Sequence, residues 1–465
     1  MDTASNKRWF LPLLMLSVVL SRLPLLFNGY GTDGDAWRVA LTARTLWETG
    51  LYEISRFPGY PLYELLLTPV IAVGGPVASN VATLLIFLCS ILLFRRILQF
   101  WGTPHQEALL ILYAFLPLLW KNSAVTMDYI WGLTAILGSC LFLLRGRIAL
   151  AGLLLGLAAG MRPTHIIFIL PLLLLIPSPR NGGSVRFAGT AVITMVLSFV
   201  PAFLSPSYSV MAAEFFTRTT GRWTMTSIAA FLYRIVFAVG PLGLAALGYF
   251  LIRHRNELQQ QFSRLTFRVP AAMVLTTVVL FVLLPDEREY LIPALPFLLI
   301  ASATMLSKKE LLITGILLVS FAFITPDVID HASGRRTFAP SIQSGVVVRE
   351  YREREALRED IRAVAAVPLP DSSIVMVGMG PQFWMQAPDL IRDAAMTERL
   401  QQESARSIHG AERWYVYALK RQEMEEFRRK GYRLYYWGVM GGFLNTFIGY
   451  NLADERVEPI GNQQP

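Results

Sequence analysis

The sequence predicts an all-α polytopic membrane protein followed by a small C-terminal α/β segment. Three observations carry this. Hydrophobic residues make up 54% of the 465 residues and charged residues only 16%, well below the ~25% charged residues of soluble chains. The apolar residues gather into runs near the ~20 residues that a bilayer crossing needs. From Thr325 onward the chain becomes charged and polar, with short alternating strand and helix patterns. The net charge of +9 sits mostly between apolar runs, so it reads as a topology signal, and no nucleic-acid partner is expected. Cys89 and Cys140 fall inside predicted spans and read as packing residues. The five histidines show no metal-ligand spacing.

Lys7 and Arg8 precede the first apolar run, Trp9 to Phe27. No small-residue cleavage site follows, so it reads as a retained first span with a cytoplasmic N-terminus. The loop over residues 28–76 then lies on the outer face. Its second half, Leu62 to Val73, is short for a span and ends at Gly74-Gly75-Pro76, which suggests an interfacial helix followed by a span from Val77 to Phe94. Further spans are expected at Ala108–Leu119, Ile130–Leu144, Ile148–Ala159, Ile166–Ile176, Phe187–Leu204, Ile235–Ile252, Val269–Leu284, Leu291–Leu306 and Leu311–Ile324. That makes about eleven in all. Arg95/Arg96, Arg145/Arg147, Arg180/Arg186, Arg253/Arg255 and Lys308/Lys309 then all fall inside, as the positive-inside bias requires. Gly152, Gly156 and Gly160 form a small-residue face for close helix contact.

Residues 1–325 thus form the expected membrane domain and 326–465 an extracytoplasmic α/β domain. In the latter, Val346–Val367 reads as a charged helix with Glu350, Glu353 and Arg354 at helical spacing. Strands are expected at Ile374–Val377, Trp414–Leu419 and Arg433–Trp437, with a helix from Glu423 to Lys430 stopped by Gly431.

On this topology the outer face collects Asp33, Asp35, Arg44, Arg56, Lys121, Asp128, Arg162, His165, Arg218, Arg222 and the run Asp286 to Tyr290. Arginines in short outer loops run against the positive-inside bias, and ionisable groups at span ends mark substrate paths. Carboxylates and arginines on one face suit glycosyl transfer. A carboxylate takes the proton of an attacking hydroxyl, and arginines hold a departing phosphate by bidentate hydrogen bonds. Each motif also has a plainer reading. Asp33-Gly34-Asp35 is a D-x-D that also makes a turn with a helix cap, and Asp128 is also a cap candidate. Arg288 is also a surface ion-pair partner, and Pro58-Gly59-Tyr60-Pro61 is also a simple turn.

Four passages carry a family resemblance. They are Gly34-Asp35-Ala36 ahead of Ala40-Leu41-Thr42-Ala43-Arg44, Arg56-Phe57-Pro58-Gly59-Tyr60-Pro61-Leu62, Asp128 at the opening of a span, and Glu287-Arg288-Glu289-Tyr290-Leu291-Ile292-Pro293. Through them the chain resembles the GT-C class of membrane glycosyltransferases, specifically the family 39-type bacterial group of protein O-mannosyltransferases and the aminoarabinose transferase of lipid A. The resemblance implies a GT-C-like fold and inverting transfer of a sugar from a polyprenyl-phosphate donor to a protein, lipid or glycan acceptor. It implies Asp35 as catalytic base with Asp33 beside it. Arg56, Arg162 and Arg288, with Lys121 and Arg222, become the candidates for the lipid phosphate. Tyr290 would position that phosphate, and Asp128 and Tyr60 complete the set. No cofactor is required on this reading; a divalent metal at Asp33/Asp35, as in the oligosaccharyltransferase branch, is the minor form. Two other classes stay open at this point, a transporter or flippase of lipid-linked envelope precursors and a non-catalytic assembly protein on the same frame.

The topology is testable by cysteine labelling from outside intact cells. Positions 33 and 414 should react and positions 6 and 308 should not; labelling at 308 but not at 414 would invert the whole scheme.

Overall fold

The computed structural model describes residues 3–177, 182–209, 211–213, 234–236, 239–284, 287–330, 336–341, 344–377, 391–392, 407–408, 411–416, 419, 421–438 and 457–460. Arg218, Arg222 and Asp286 lie outside the described residues.

The described chain is mostly helical. Four of its helices are long and apolar enough to cross a membrane, Arg8–Leu26, Pro61–Trp101, Gly183–Phe203 and Leu265–Leu283, and five apolar helices are shorter. The first helix, α1 (Thr3–Leu26), passes through Arg22 and Pro24 without ending. Arg22 is fully buried, and its guanidinium donates to Ser123 Oγ at 3.1 Å and to the Ala114 carbonyl. The rings of Phe87, Phe115 and Trp120 surround it at 5.5, 5.1 and 4.9 Å. That carbonyl is available because the expected span over Ala108–Leu119 breaks at Leu116, where Pro117 cannot continue an incoming helix. The result is α4 (Gln106–Phe115) and α5 (Pro117–Asn122).

Between α1 and these lie α2 (Gly34–Thr49) and α3 (Pro61–Trp101). Gly50, at φ 73°, closes α2 in the left-handed conformation that glycine adopts without a Cβ clash. α2 buries Ala36, Trp37, Val39, Ala40 and Ala43, and Trp37 Nε1 donates to the Gly31 carbonyl at 2.7 Å. α3 is two helices joined at Gly75 (φ 55°, ψ −143°), the break that Gly74-Gly75-Pro76 predicts. At its start Glu64 is buried and accepts from the hydroxyls of Tyr52 and Ser55, which folds the segment before it back onto the helix.

The segments α6 (Tyr129–Leu144) and α7 (Ile148–Met161) form an antiparallel pair across Gly146. The glycines of α7 face the helix Gly183–Phe203. A Cβ at Gly152 would stand 2.6 Å from the Phe187 carbonyl, and one at Gly156 2.6 Å from the Ala191 carbonyl. The two backbones approach closely because nothing stands between them. The expected Ile166–Ile176 span is mixed 3-10 and α structure over Pro163–Leu175. Leu291–Leu306 likewise opens as a 3-10 stretch, Arg288–Ala294, before its helix Leu295–Ala303.

Beyond the helix Lys308–Ser320, strands β1 (Thr325–Asp330) and β2 (Arg336–Ser341) pair antiparallel. Thr325 and Ser344 bond to each other at the hairpin base, at 2.6 to 3.0 Å. The charged helix Val346–Ala366 therefore starts where the last apolar helix ends, with Val346 N and Val347 N on the Phe321 and Ala322 carbonyls. Val347, Tyr351 and Leu357 pack against the core of the apolar helices. A six-stranded sheet follows, containing β3 (Ser373–Met376), β4 (Ile391–Arg392), β5 (Ser407–Ile408), β6 (Ala411–Val416), β7 (Arg433–Trp437) and β8 (Glu458–Ile460), in the order β4-β5-β6-β3-β7-β8. The run β6-β3-β7-β8 is parallel, and the helix Arg421–Arg429 connects β6 to β7. The strands expected in this part fall within a few residues of those observed.

Gly156→Val should cost ~1–3 kcal/mol, since the new side chain meets a backbone carbonyl. Thermal unfolding in detergent measures this; a Tm equal to that of the parent would mean the α7 contact is looser than described.

Candidate active site

Asp33 is the residue before α2 and caps it: its Oδ1 accepts from Asp35 N at 2.9 Å. The turn with a helix cap that the D-x-D allows is therefore formed, with Asp33 as the cap. Asp35 is in the first turn instead, with its carboxylate released for other partners. Enclosure and then the neighbouring Asp35 charge raise the Asp33 carboxyl above its ordinary range.

Asp35 Oδ2 is 3.0 Å from Arg56 Nε, and Oδ1 is 3.6 Å from Arg38 Nη1. Arg56 is brought there by the loop that Glu64 holds, and its Nη2 reaches Asp128 Oδ1 at 3.3 Å. Asp128 is 0% exposed. It receives a bidentate fork from Arg162, Nε to Oδ2 at 2.7 Å and Nη2 to Oδ1 at 3.0 Å. No capping bond joins Asp128 to α6, so its cap reading fails; both oxygens serve the arginines. Burial opposes ionisation of Asp128, but Arg162 and Arg56 outweigh it and hold the carboxyl below its usual range. Aromatic faces complete the enclosure. Arg56 lies 3.8 Å from the Tyr60 ring centre, and Arg162 lies 4.1 Å from that of Tyr129 and 5.0 Å from that of Tyr290.

On the other flank Lys121 Nζ is 3.1 Å from Glu289 Oε1 and 3.5 Å from Glu350 Oε2. Among the described residues Arg288 has one ion pair, a 3.5 Å contact from Nε to Glu289 Oε1, and its side chain is 35% exposed. It is the site cation least committed to protein partners. Glu287 accepts from the Tyr129 hydroxyl, and burial pushes its carboxyl up to about 7. A cleft of about 270 Å³ opens beside Arg162, lined by Tyr129, His165, Glu289, Tyr290 and Ile292 among others.

The structure thus brings together Asp33, Asp35, Arg56, Tyr60, Asp128, Arg162, Lys121, Arg288 and Tyr290. Arg44 is not part of the cluster; it pairs with Glu48 at 2.7 Å on the exposed side of α2. His165 is buried against the Ala158 carbonyl at 3.1 Å. Sequence reasoning left Glu64, Tyr129, Glu287, Glu289 and Glu350 without site roles. The Glu287-Arg288-Glu289 run was the available signal for two of them. Among the described residues no three metal-type ligands gather, Asp35 faces Arg56 and Arg38, and Asp33 is engaged as a cap.

Helices long and apolar enough to cross a membrane and a cluster of buried carboxylates and guanidinium groups thus stand together in the described chain. The profile of Glycosyltransferase family 87 matches residues 59–315, more than half of the chain. The protein belongs to glycosyltransferase family 87. The match takes in Tyr60, Lys121, Asp128, Arg162, Arg288 and Tyr290, and begins after Asp33, Asp35 and Arg56. Among solved structures, apo ArnT from Cupriavidus metallidurans is similar at 16% identity and TM-score 0.44, covering 68% of this chain and 63% of its own. The apo oligosaccharyltransferase of Archaeoglobus fulgidus is similar at 12% identity and TM-score 0.45, covering 83% and 64%. The same enzyme tethered to an acceptor peptide containing the NVT sequon gives 11% identity and TM-score 0.42. The chain spans less than two thirds of the length of these solved chains. No curated protein matches it.

Asp128→Asn should destabilise by ~3–5 kcal/mol, because it leaves the buried Arg162 guanidinium without its counter-charge and takes one of two carboxylates from Arg56. Thermal unfolding measures it, and a loss below about 1 kcal/mol, the range of exposed pairs, would mean the cluster is solvated.

Proposed function

We propose that this chain is an inverting glycosyltransferase that moves a sugar from a polyprenyl-phosphate donor to a hydroxyl acceptor on the outer membrane face. The observation that carries the reading is the contrast between Asp35 and Arg288. Asp35 is anchored by Arg56 yet 20% exposed, and among the described residues Arg288 has one ion pair, at 3.5 Å. The other cations of the site already serve carboxylates.

The acceptor oxygen attacks the anomeric carbon while its proton passes to Asp35, and the bond from that carbon to the phosphate oxygen breaks. The electron pair leaves with the polyprenyl phosphate, where negative charge grows. Arg288 meets that charge with a planar fork, which lysine would lack. Tyr290 stands two residues after Arg288 in the chain and lines the cleft beside Arg162, so it limits where the phosphate sits. Arg56 orients the base, and Asp128 with Arg162 fixes Arg56. Asp33 holds the turn. No metal has a step here, since Arg56 already supplies the positive charge next to Asp35. The expected membrane domain 1–325 carries every residue of this scheme, and the remainder would shape access of the acceptor.

Glu287 supports a second assignment for the base, because a carboxyl near 7 is well matched to proton transfer at neutral pH. The two separate by mutation. Asp35→Asn should fold normally, since Asp33 provides the cap, and lose at least ~10²-fold in rate. Transfer of radiolabelled sugar from polyprenyl phosphate by purified variants measures it. Full activity in Asp35→Asn with loss in Glu287→Gln would move the base to Glu287.

A further inference from the structure

The charged helix Val346–Ala366 carries two groups to which the transfer scheme gives no task. Glu350 and Arg354, one turn apart, are 3% and 2% exposed. On the solvent side of the same helix Arg349 and Glu353 pair at 2.6 Å while largely exposed, an ordinary surface contact. Glu350 and Arg354 point the other way, into the ends of the apolar helices.

Glu350 Oε1 accepts from Thr32 N at 3.1 Å and from Arg354 Nε at 2.7 Å. Its Oε2 accepts from Thr32 Oγ1 at 2.6 Å and stands 3.5 Å from Lys121 Nζ. Arg354 donates its outer nitrogens to two carbonyls, Nη1 to Leu25 at 2.7 Å and Nη2 to Ala124 at 3.0 Å. Leu25 is in the last turn of α1, and Ala124 is in the loop that leads to Asp128. That loop is itself tied to the first one, with Thr126 N on the Tyr30 carbonyl at 2.9 Å. Lys121 then continues to Glu289, and Glu289 to Arg288. Charges alternate along the whole chain Arg354, Glu350, Lys121, Glu289, Arg288. Burial opposes ionisation of Glu350, yet Lys121 and Arg354 hold its carboxyl down at about 2, so it stays charged at neutral pH.

A buried ion network adds little net stability, because desolvation offsets the attraction and apolar replacements are often as stable. It does fix geometry that apolar packing would leave free. Thr32 is the residue before Asp33, and Arg288 is the other end of the chain of charges. We propose that Glu350 and Arg354 are positioning residues, which hold Thr32 and so the Asp33–Asp35 turn, and which register that turn against Arg288 through Lys121 and Glu289. The functional meaning of this brace rests on the transferase scheme proposed above; the brace itself does not.

The test uses the full chain in detergent. Glu350→Gln strips Lys121 and Arg354 of a partner and can unfold the protein, so the deciding variant is Thr32→Val, which removes only the hydroxyl bond to Glu350. Hydrogen exchange of the amides over Thr32–Ala36 should rise about 10-fold while the apolar helices keep their protection. Transfer should lose about 10-fold in kcat, less than the ~10²-fold of a 1 Å misplacement, with donor KM unchanged. Thr32→Ser should restore both. Unchanged exchange at Thr32–Ala36 would overturn the brace, as would a rise spread over every helix. If the parent protein transfers no sugar from polyprenyl phosphate, the transferase scheme fails, and the exchange result alone still decides the brace.

Discussion

The Asp128 carboxylate is the constraint on which the polar end of this protein depends. It sits at zero exposure and accepts from two arginines that come from different parts of the chain. Neutralising it would leave the Arg162 guanidinium buried without a counter-charge and Arg56 with Asp35 alone, at ~3–5 kcal/mol for breaking such a pair. Its value lies in placement more than in stability. Arg162 follows the end of α7 and Arg56 lies within the loop that Glu64 folds back, so one carboxylate sets the first loop against α6 and α7. Arg56 then carries that placement to Asp35, whose carboxylate is the first in the series to meet solvent.

Much of the frame was legible because membrane helices depend on local composition. The break at Gly75, the close face of Gly152, Gly156 and Gly160, and the positions of three C-terminal strands all follow from residues adjacent in sequence. The polar network was not legible in the same way. Arg56 and Asp128 are 72 positions apart, and Lys121 and Glu289 are 168 apart. No spacing rule connects such pairs. Lys121 therefore read as a free cation for phosphate, though two carboxylates occupy it. Which aspartate caps α2 was open for another reason. Either aspartate suits a helix start, and only the extended backbone at Asp33 (φ −70°, ψ 127°) decides which one caps. Glu350 and Arg354 were visible as a helical pair, but their targets on Thr32, Leu25 and Ala124 were not.

Two connected networks result, one through Asp128 to Asp35 and one through Glu350 and Lys121 to Arg288. Both consume nearly all of their own charges, and this leaves Asp35 and Arg288 as the groups with capacity for a substrate. A rigid, pre-oriented base and a prepared cation lower the reorganisation that transfer would otherwise require. The most direct test of this account is an experimental structure of the protein with a polyprenyl phosphate bound. The account predicts the phosphate within hydrogen-bond reach of the Arg288 guanidinium, on the side of the site that Asp35 faces. A phosphate held by Arg56 or Arg162 with the Asp128 pairs broken, or one bound away from both Arg288 and Asp35, would contradict it.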